Sequence, residues 1–225
     1  MKVKEFADCS LKYIVSEPDG YIEGKSYPVV ILLHGFGANM NDLLDMVSYL
    51  DFQPCVYVFP NAPVDLRVPY GFNGYAWINP PDRYSKEVLK NIEDLLDAFV
   101  DEIIIRYKVK KNNVALGGFS QGGMLSYWYG IQHPEIFKGI ISLSGKLLLA
   151  QQFFNNLNHE IKDQRIYIEH GTEDNVIDIL EARKARDLFA KNGFENIEYY
   201  ESEIGHSIHH STYTRLSKWL NNLFD

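Results

Sequence analysis

The chain of 225 residues carries 22 Lys and Arg against 30 Asp and Glu, a formal net charge of −8, and 46% of its residues are hydrophobic. This composition is typical of a globular protein in water, and the acidic excess argues against a nucleic-acid partner, because that affinity depends on clustered Lys and Arg. The longest aliphatic run, VVILL at residues 29–33, is far below the roughly 20 residues needed for a membrane span.

At the N-terminus, the segment MKVKEFADCS lacks the apolar stretch of a signal peptide. The two cysteines, Cys9 and Cys55, form neither a disulfide framework nor a spacing typical of metal sites. We therefore expect a cytoplasmic protein without stable membrane insertion.

Along the rest of the chain, short apolar segments rich in β-branched residues alternate with longer segments of helical period. This alternation predicts parallel strands joined by crossover helices. The expected fold class is α/β, with a mostly parallel central sheet, helices on both faces and a single domain over residues 1–225. Six strands are predicted, at residues 29–33, 56–59, 114–119, 139–143, 165–169 and 197–200.

Three long helices are predicted from apolar residues that recur at three- and four-residue steps. The first begins after Ser85, a residue type favoured at helix N-termini. The second spans residues 179–192 and is followed by Gly193, which suits a left-handed C-terminal cap. The third spans residues 209–224.

Two segments interrupt this pattern. Residues 60–84 hold five of the nine prolines and many aromatic residues, a composition that excludes a regular helix. We predict a long ordered loop, which at this length is usually functional in a compact domain. The alternative is a loop that only covers the sheet. Residues 151–164 are polar and rich in Asn, and are predicted to be a surface connection.

The strongest local motif is Gly118-Phe119-Ser120-Gln121-Gly122, a G-x-S-x-G pattern between the predicted strand at 114–119 and a predicted helix at 124–132. In a strand-to-helix turn of this kind the serine is the expected nucleophile. So tight a turn strains the backbone at the serine, and the glycines stand where a Cβ would clash. The competing interpretation is an incidental serine in a glycine-rich turn.

A serine hydroxyl needs a base within hydrogen-bond reach, and the base needs an orienting acid. In α/β sheets with this motif, an acid and then a histidine follow the serine along the chain. The loop after the fifth predicted strand offers three carboxylates, Glu173, Asp174 and Asp178. The loop after the sixth predicted strand offers His206 as the base.

A metal site is the alternative use of the histidines near the C-terminus. His206, His209 and His210 stand close together in sequence, but neither a cysteine nor a carboxylate motif accompanies them. We therefore predict no metal.

Acyl transfer also builds negative charge on the carbonyl oxygen, which backbone N–H groups stabilise. The glycine-rich segment at residues 32–39 follows the first predicted strand and can supply one N–H, from Phe36 or Gly37. Gln121, directly after the serine, can supply the second.

Seven short segments occur in order along the chain: LLHGFGAN from Leu32, VFPNAP from Val58, GYAWINP around Trp77, GGFSQGG around Ser120, SLSG from Ser142, EHGTEDNVI from Glu169 and GHSI from Gly205. Together they resemble the phospholipase/carboxylesterase family, which has the α/β-hydrolase fold and includes small bacterial carboxylesterases and the acyl-protein thioesterases. The resemblance covers the chain from about Pro28 to the C-terminus.

The resemblance implies that Ser120 is the nucleophile, Asp174 the acid and His206 the base. It also implies that the amides of Phe36 and Gln121 form the oxyanion hole and that no cofactor is required.

An apolar acyl pocket is expected near these residues. The resemblance places Trp77 beside the acyl site. Residue type and nearness in sequence add Phe36, Leu147 and Leu148 to its lining, and Gly37 is counted with the substrate-binding residues.

We therefore expect a serine carboxylesterase that hydrolyses small to medium acyl esters through an acyl-enzyme, as a monomer or homodimer. Thioesterase-like members of the family have Trp-aromatic-Asp where this chain has Trp77-Ile78-Asn79, which favours the esterase. The alternatives are an acyl-protein thioesterase or lysophospholipase acting on long acyl chains, and a catalytically inactive binding module. The inactive module predicts a missing member of the triad, and all three members are present.

Overall fold

The fold is described from a computed structural model that covers residues 1–52, 54–66, 74–79, 84–110, 112–157 and 163–225. Within these residues eight strands form one sheet in the order β1-β2-β4-β3-β7-β8-β9-β10, and β5 and β6 form a separate two-stranded ribbon. The strands are β1 (Lys2–Phe6), β2 (Tyr13–Glu17), β3 (Val29–Leu33), β4 (Val56–Pro60), β5 (Val64–Asp65), β6 (Tyr75–Ala76), β7 (Val114–Phe119), β8 (Phe137–Leu143), β9 (Arg165–Gly171) and β10 (Ile197–Ser202).

The large sheet is parallel from β4 to β10, and antiparallel where β2 pairs with β1 and with β4. All six predicted strands are present, so the prediction of a mostly parallel α/β sheet is confirmed. The two N-terminal strands were not predicted. Strand β1 is a largely exposed edge strand with the sequence KVKEF. Charged residues protect such an edge from pairing with other chains, but they also remove the apolar run by which a strand is predicted from sequence.

The described part of the chain has five α-helices: α1 (Lys86–Arg106), α2 (Gln121–Leu125), α3 (Ala150–Asn156), α4 (Ile179–Lys191) and, after the last strand, α5 (His210–Phe224). Two predicted caps are confirmed. The hydroxyl of Ser85 accepts a hydrogen bond from the Val88 amide at 3.3 Å, and Gly193 follows α4 with a φ of 87°.

Two predicted segments need correction. The helix predicted at residues 124–132 begins at Gln121, directly after the serine, and continues from Ser126 to Gly130 as a π-helical turn. Residues 151–164 were predicted to be a surface connection, but their first part belongs to helix α3, in which Phe153 and Phe154 are buried. Residues 158–162 lie outside the described residues.

The loop predicted at residues 60–84 also contains structure. It carries the ribbon of β5 and β6, in which Val64 pairs with Ala76 and Asp65 with Tyr75. Residues 67–73 and 80–83 lie outside the described residues. The ribbon is bonded to the loop after β3, because the amide of Tyr75 donates to the carbonyl of Ala38 at 2.7 Å.

Helices cover both faces of the large sheet, as predicted. Alternate residues of β3 point to opposite sides, so that Val29, Ile31 and Leu33 join one apolar core and Val30 and Leu32 join the other. Helices α1 and α4 pack on the first side, and α5 packs on the second. No helix among the described residues is both long enough and apolar enough to span a bilayer.

Candidate active site

Ser120 occupies the sharp turn between β7 and α2. Its φ of 54° and ψ of −116° lie outside the regions that residues with side chains normally adopt. The Ser120 amide donates to the carbonyl of Leu143 in the neighbouring strand at 2.8 Å. This bond holds a strained backbone in place at the carboxyl edge of the sheet, where strain at one residue is typical of functional sites.

The glycines on either side make this turn possible. A Cβ added at Gly122 would lie 2.0 Å from the carbonyl oxygen of Leu33, and one at Gly118 would lie 2.4 Å from the carbonyl carbon of Gly122. Both distances are far inside van der Waals contact. The prediction that the two glycines stand where a Cβ would clash is therefore confirmed.

His206 lies in the loop between β10 and α5 and contacts both other predicted triad members. Its Nε2 is 2.9 Å from the hydroxyl of Ser120, and its Nδ1 is 2.7 Å from Oδ2 of Asp174. A carboxylate can only accept, so we assign the proton to Nδ1, which leaves Nε2 as the acceptor for the Ser120 hydroxyl. The imidazole also packs on the ring of Phe119, with 4.9 Å between centroids.

Asp174 is held by the loop that follows β9. Its Oδ1 accepts hydrogen bonds from the amides of Val176 and Ile177, both at 2.9 Å. Burial of the carboxyl raises its pKa, but the hydrogen bonds from His206 and the two amides outweigh that effect, so the pKa of Asp174 lies below its ordinary value. The group is therefore a carboxylate at neutral pH.

Neither of the two alternative acids, Glu173 and Asp178, forms a hydrogen bond or an ion pair with His206 in the described part of the chain. The side chain of Glu173 is exposed, and Asp178 caps α4 by accepting from the Leu180 amide at 2.9 Å. Among the three predicted carboxylates, the structure brings only Asp174 to His206.

A second histidine, His170, supports the acid loop and was not predicted as a site residue. Its side chain is fully buried, and its Nε2 lies 2.7 Å from the carbonyl oxygen of Ile177 and 3.2 Å from Oδ2 of Asp174. The Ile177 carbonyl can only accept, so Nε2 carries the proton. Its position before a glycine at a strand end was the one sequence signal that could have indicated this role.

The first oxyanion candidate lies in the loop after β3. The amide of Gly37 donates to the carbonyl of Tyr75 at 2.9 Å, so this amide is already used. His34 holds the Gly35 carbonyl through Nδ1 at 2.8 Å. In a trans peptide the N–H points opposite to the C=O, so the Phe36 N–H points away from the His34 ring. Of the two predicted amides, that of Gly37 is therefore excluded, and the assignment of the Phe36 N–H to the oxyanion hole stays a prediction.

The second candidate amide belongs to Gln121, the first residue of α2. The first amides of a helix have no acceptor inside it, and they lie at the positive end of its dipole. The two segments are close, because a Cβ added at Gly35 would lie 3.3 Å from the Cβ of Ser120.

The predicted acyl-binding residues differ in exposure. Phe36 is 41% exposed, whereas Trp77 has no exposed surface and Leu148 only 4%. Leu147 is partly buried against the same apolar core as Leu148. Trp77 makes two hydrogen bonds, from its amide to Oε1 of Gln121 at 2.9 Å and from its indole to the carbonyl of His34 at 3.0 Å. That Phe36, Trp77, Leu147 and Leu148 line an acyl pocket and that Gly37 contacts the substrate stays a prediction.

The histidines weighed as metal ligands are also placed. Both ring nitrogens of His206 face triad partners, and His209 caps α5 through Ser211. In the described part of the chain, no three His, Cys, Asp or Glu side chains come together as a possible metal site.

Comparison with known proteins places this chain among hydrolases. A family model described as phospholipase/carboxylesterase matches residues 22–224. The chain is 29% identical over 196 residues to acyl-protein thioesterase 1 of Kluyveromyces lactis, covering 82% of this chain and 85% of the relative. It is 28% identical over 189 residues to acyl-protein thioesterase 1 homolog 2 of Dictyostelium discoideum, covering 79% and 84%.

Two solved structures share the fold. Esterase PE8 superposes with a TM-score of 0.80 at 23% identity, over 99% of this chain and 100% of the other. The carboxylesterase from Mesorhizobium loti gives a TM-score of 0.79 at 17% identity, over 98% and 99%. At these identities the structural likeness establishes the α/β-hydrolase fold alone.

Proposed function

Because the chain belongs to the phospholipase/carboxylesterase family, we propose that it is a serine carboxylesterase that hydrolyses small to medium acyl esters. One observation carries the proposal: a continuous line of contacts from the Ser120 hydroxyl through the His206 ring to the Asp174 carboxylate. This arrangement supplies a nucleophile, a base and an orienting acid within hydrogen-bond distance.

In the acylation step, Nε2 of His206 accepts the Ser120 proton while Oγ attacks the ester carbonyl. The carbonyl oxygen becomes an oxyanion, which the amides of Phe36 and Gln121 stabilise. His206 then passes the proton to the departing alcohol as the C–O bond breaks, leaving an acyl-serine. Asp174 remains ionised and stabilises the imidazolium that forms in between.

In the deacylation step, a water molecule takes the place of the alcohol. His206 removes a proton from the water as its oxygen attacks the acyl-serine carbonyl, and the same amides stabilise the second oxyanion. The proton returns to Oγ of Ser120 when the carboxylic acid leaves. The His206 side chain is 17% exposed, which leaves the imidazole open to both alcohol and water.

A second candidate is thioester hydrolysis on long acyl chains. It is favoured by relatives named acyl-protein thioesterase 1, which match at 29% identity or below over most of this chain. The same chemistry cleaves an ester or a thioester, because the leaving group changes but the attack on the acyl carbonyl does not. The two candidates therefore differ in substrate and share one site.

The remaining expectations belong to this proposal. The substrate is a small-molecule acyl ester, and the chain acts as one domain, monomeric or dimeric, without nucleic acid. Its two cysteines, Cys9 and Cys55, are unpaired, which supports a reducing location such as the cytoplasm.

The test compares p-nitrophenyl acetate, butyrate, octanoate and palmitate with the acyl-CoA thioesters of the same chains, using purified protein. We expect the highest kcat/KM on the shorter esters and a steep fall towards palmitate. A preference for palmitoyl thioester would support the second candidate. No hydrolysis of any substrate, together with no labelling of Ser120 by a fluorophosphonate, would support the inactive binding module.

A further inference from the structure

We infer that Trp77 is a positioning residue, whose two N–H groups hold together the two chain segments that carry the proposed oxyanion donors. The inference rests on the serine hydrolase function proposed above. One segment is the loop after β3, with Phe36, and the other is the start of α2, with Gln121. Trp77 is hydrogen-bonded to both.

The first bond fixes the start of α2. The Trp77 amide donates to the side-chain Oε1 of Gln121 at 2.9 Å, and both residues are buried. The side-chain carboxamide of Gln121 is therefore hydrogen-bonded inside the protein, and it anchors the residue whose backbone amide is the second proposed oxyanion donor. The proposed oxyanion role uses only the backbone N–H of Gln121, so the hydrogen bond to Trp77 is a separate function of its side chain.

The second bond fixes the loop after β3. The indole Nε1 of Trp77 donates to the carbonyl of His34 at 3.0 Å, and the indole lies against the His34 ring with 5.6 Å between centroids. This carbonyl belongs to the peptide unit directly before the one that carries the Phe36 N–H, and His34 in turn holds the carbonyl of Gly35. The indole therefore anchors the segment from which the Phe36 N–H projects.

Trp77 is itself carried by a ribbon that is tied to the same loop. Tyr75 in β6 accepts from the Gly37 amide at 2.9 Å and donates to the Ala38 carbonyl at 2.7 Å. The approach is so close that a Cβ at Gly74 would lie 2.1 Å from the Gly37 carbonyl oxygen. The ribbon, the loop after β3 and the start of α2 thus form one hydrogen-bonded unit with Trp77 at its centre.

Loss of either hydrogen bond of Trp77 should change the spacing of the two proposed oxyanion donors. Donors in an oxyanion hole act on charge that exists only in the transition state, so an error in their spacing lowers kcat more than it raises KM. A misplacement of about 1 Å at a reacting centre can cost about 100-fold in rate. Loss of either bond of Trp77 also leaves a buried polar group without its partner.

The experiment uses two variants that each remove one of these two bonds. Trp77→Phe removes the indole donor, and Gln121→Met removes the carboxamide acceptor while it leaves the backbone amide in place. Trp128→Phe is the matched control, because it removes a buried indole N–H that donates to Glu93, away from the triad. For each protein we measure kcat and KM on p-nitrophenyl butyrate, the inhibition constant of a short alkyl trifluoromethyl ketone, and Tm.

We expect both test variants to lose about 10- to 100-fold in kcat with little change in KM. The trifluoromethyl ketone should lose affinity by a similar factor, because its adduct with Ser120 carries an oxyanion. Trp128→Phe should keep its kcat and ketone affinity even where its Tm falls as far.

The inference is overturned if both test variants keep wild-type kcat and ketone affinity, or if Trp128→Phe loses as much as they do at a comparable fall in Tm. Failure of the proposed function would give a different result from failure of this inference. The wild-type protein itself would then neither hydrolyse the ester nor form the ketone adduct.

Discussion

Nε2 of His206 lies 2.9 Å from the hydroxyl of Ser120, although 86 residues separate the two along the chain. The contact forms because β7 and β10 run parallel within one sheet, and the loops after both strands lie at the same edge. A base at this distance can accept the hydroxyl proton without any rearrangement of the backbone.

Ser120→Ala tests the nucleophile. The variant should lose ester hydrolysis by about a million-fold, because no other group can form the acyl-enzyme. The measurement is kcat on p-nitrophenyl butyrate in a stopped assay with a long incubation. Ser126→Ala is the matched control, since its buried hydroxyl donates to the carbonyl of Gly122 one turn away. Near-normal turnover by Ser120→Ala would exclude the mechanism.

Asp174→Asn tests which carboxylate orients the base. The amide can no longer hold the Nδ1 proton of His206 as a carboxylate does, and kcat should fall by about ten-thousand-fold. Asp178→Asn is the control and should retain activity, because Asn caps a helix about as well as Asp. The assignment would be wrong if the two variants lost activity in the reverse order.

Gly122→Ala tests the steric basis of the turn. The new Cβ would meet a backbone carbonyl oxygen at 2.0 Å, so the free energy of unfolding should fall by at least about 3 kcal/mol. Gly20→Ala is the control, since Gly20 has a φ of 71° but nothing within 4 Å of an added Cβ. It should cost only about 1 kcal/mol. Urea unfolding of the two variants gives both values, and equal losses would count against the close contact.

His34 predicts a specific dependence of stability on pH. Burial lowers the pKa of His34 to about 4, although the hydrogen bond to the Gly35 carbonyl acts in the opposite direction. The unfolded chain binds this proton near pH 6.5, whereas the folded chain does not, so stability falls as the pH drops from 6.5 towards 4. Between pH 7.5 and pH 5 the His34 contribution is a loss of about 2 kcal/mol.

Urea unfolding at both pH values measures this loss. His34→Gln should show a smaller fall in unfolding free energy between pH 7.5 and pH 5 than the wild-type chain does. His210→Gln replaces an exposed histidine and should leave the fall unchanged. An identical fall in the wild type and His34→Gln would show that the buried ring does not carry the effect.

Much of the scaffold was determined by local features of the sequence. The apolar runs of β3 and β7 gave both strands with the bounds that the structure shows, and the glycines around Ser120 indicated the sharp turn. Such predictions succeed because side-chain periodicity and backbone sterics act over a few neighbouring residues.

Other features became visible only in three dimensions. The sequence offered Glu173, Asp174 and Asp178 with similar chemistry, and the tertiary structure directs only Asp174 to His206. In the tertiary structure the Gly37 amide also donates to the carbonyl of Tyr75, and Trp77 is buried between the loop after β3 and the start of α2, which are far from it in sequence. Local pattern cannot decide these points, because the direction of one side chain or N–H depends on hydrogen bonds to residues tens of positions away, and those partners meet only when the sheet has formed.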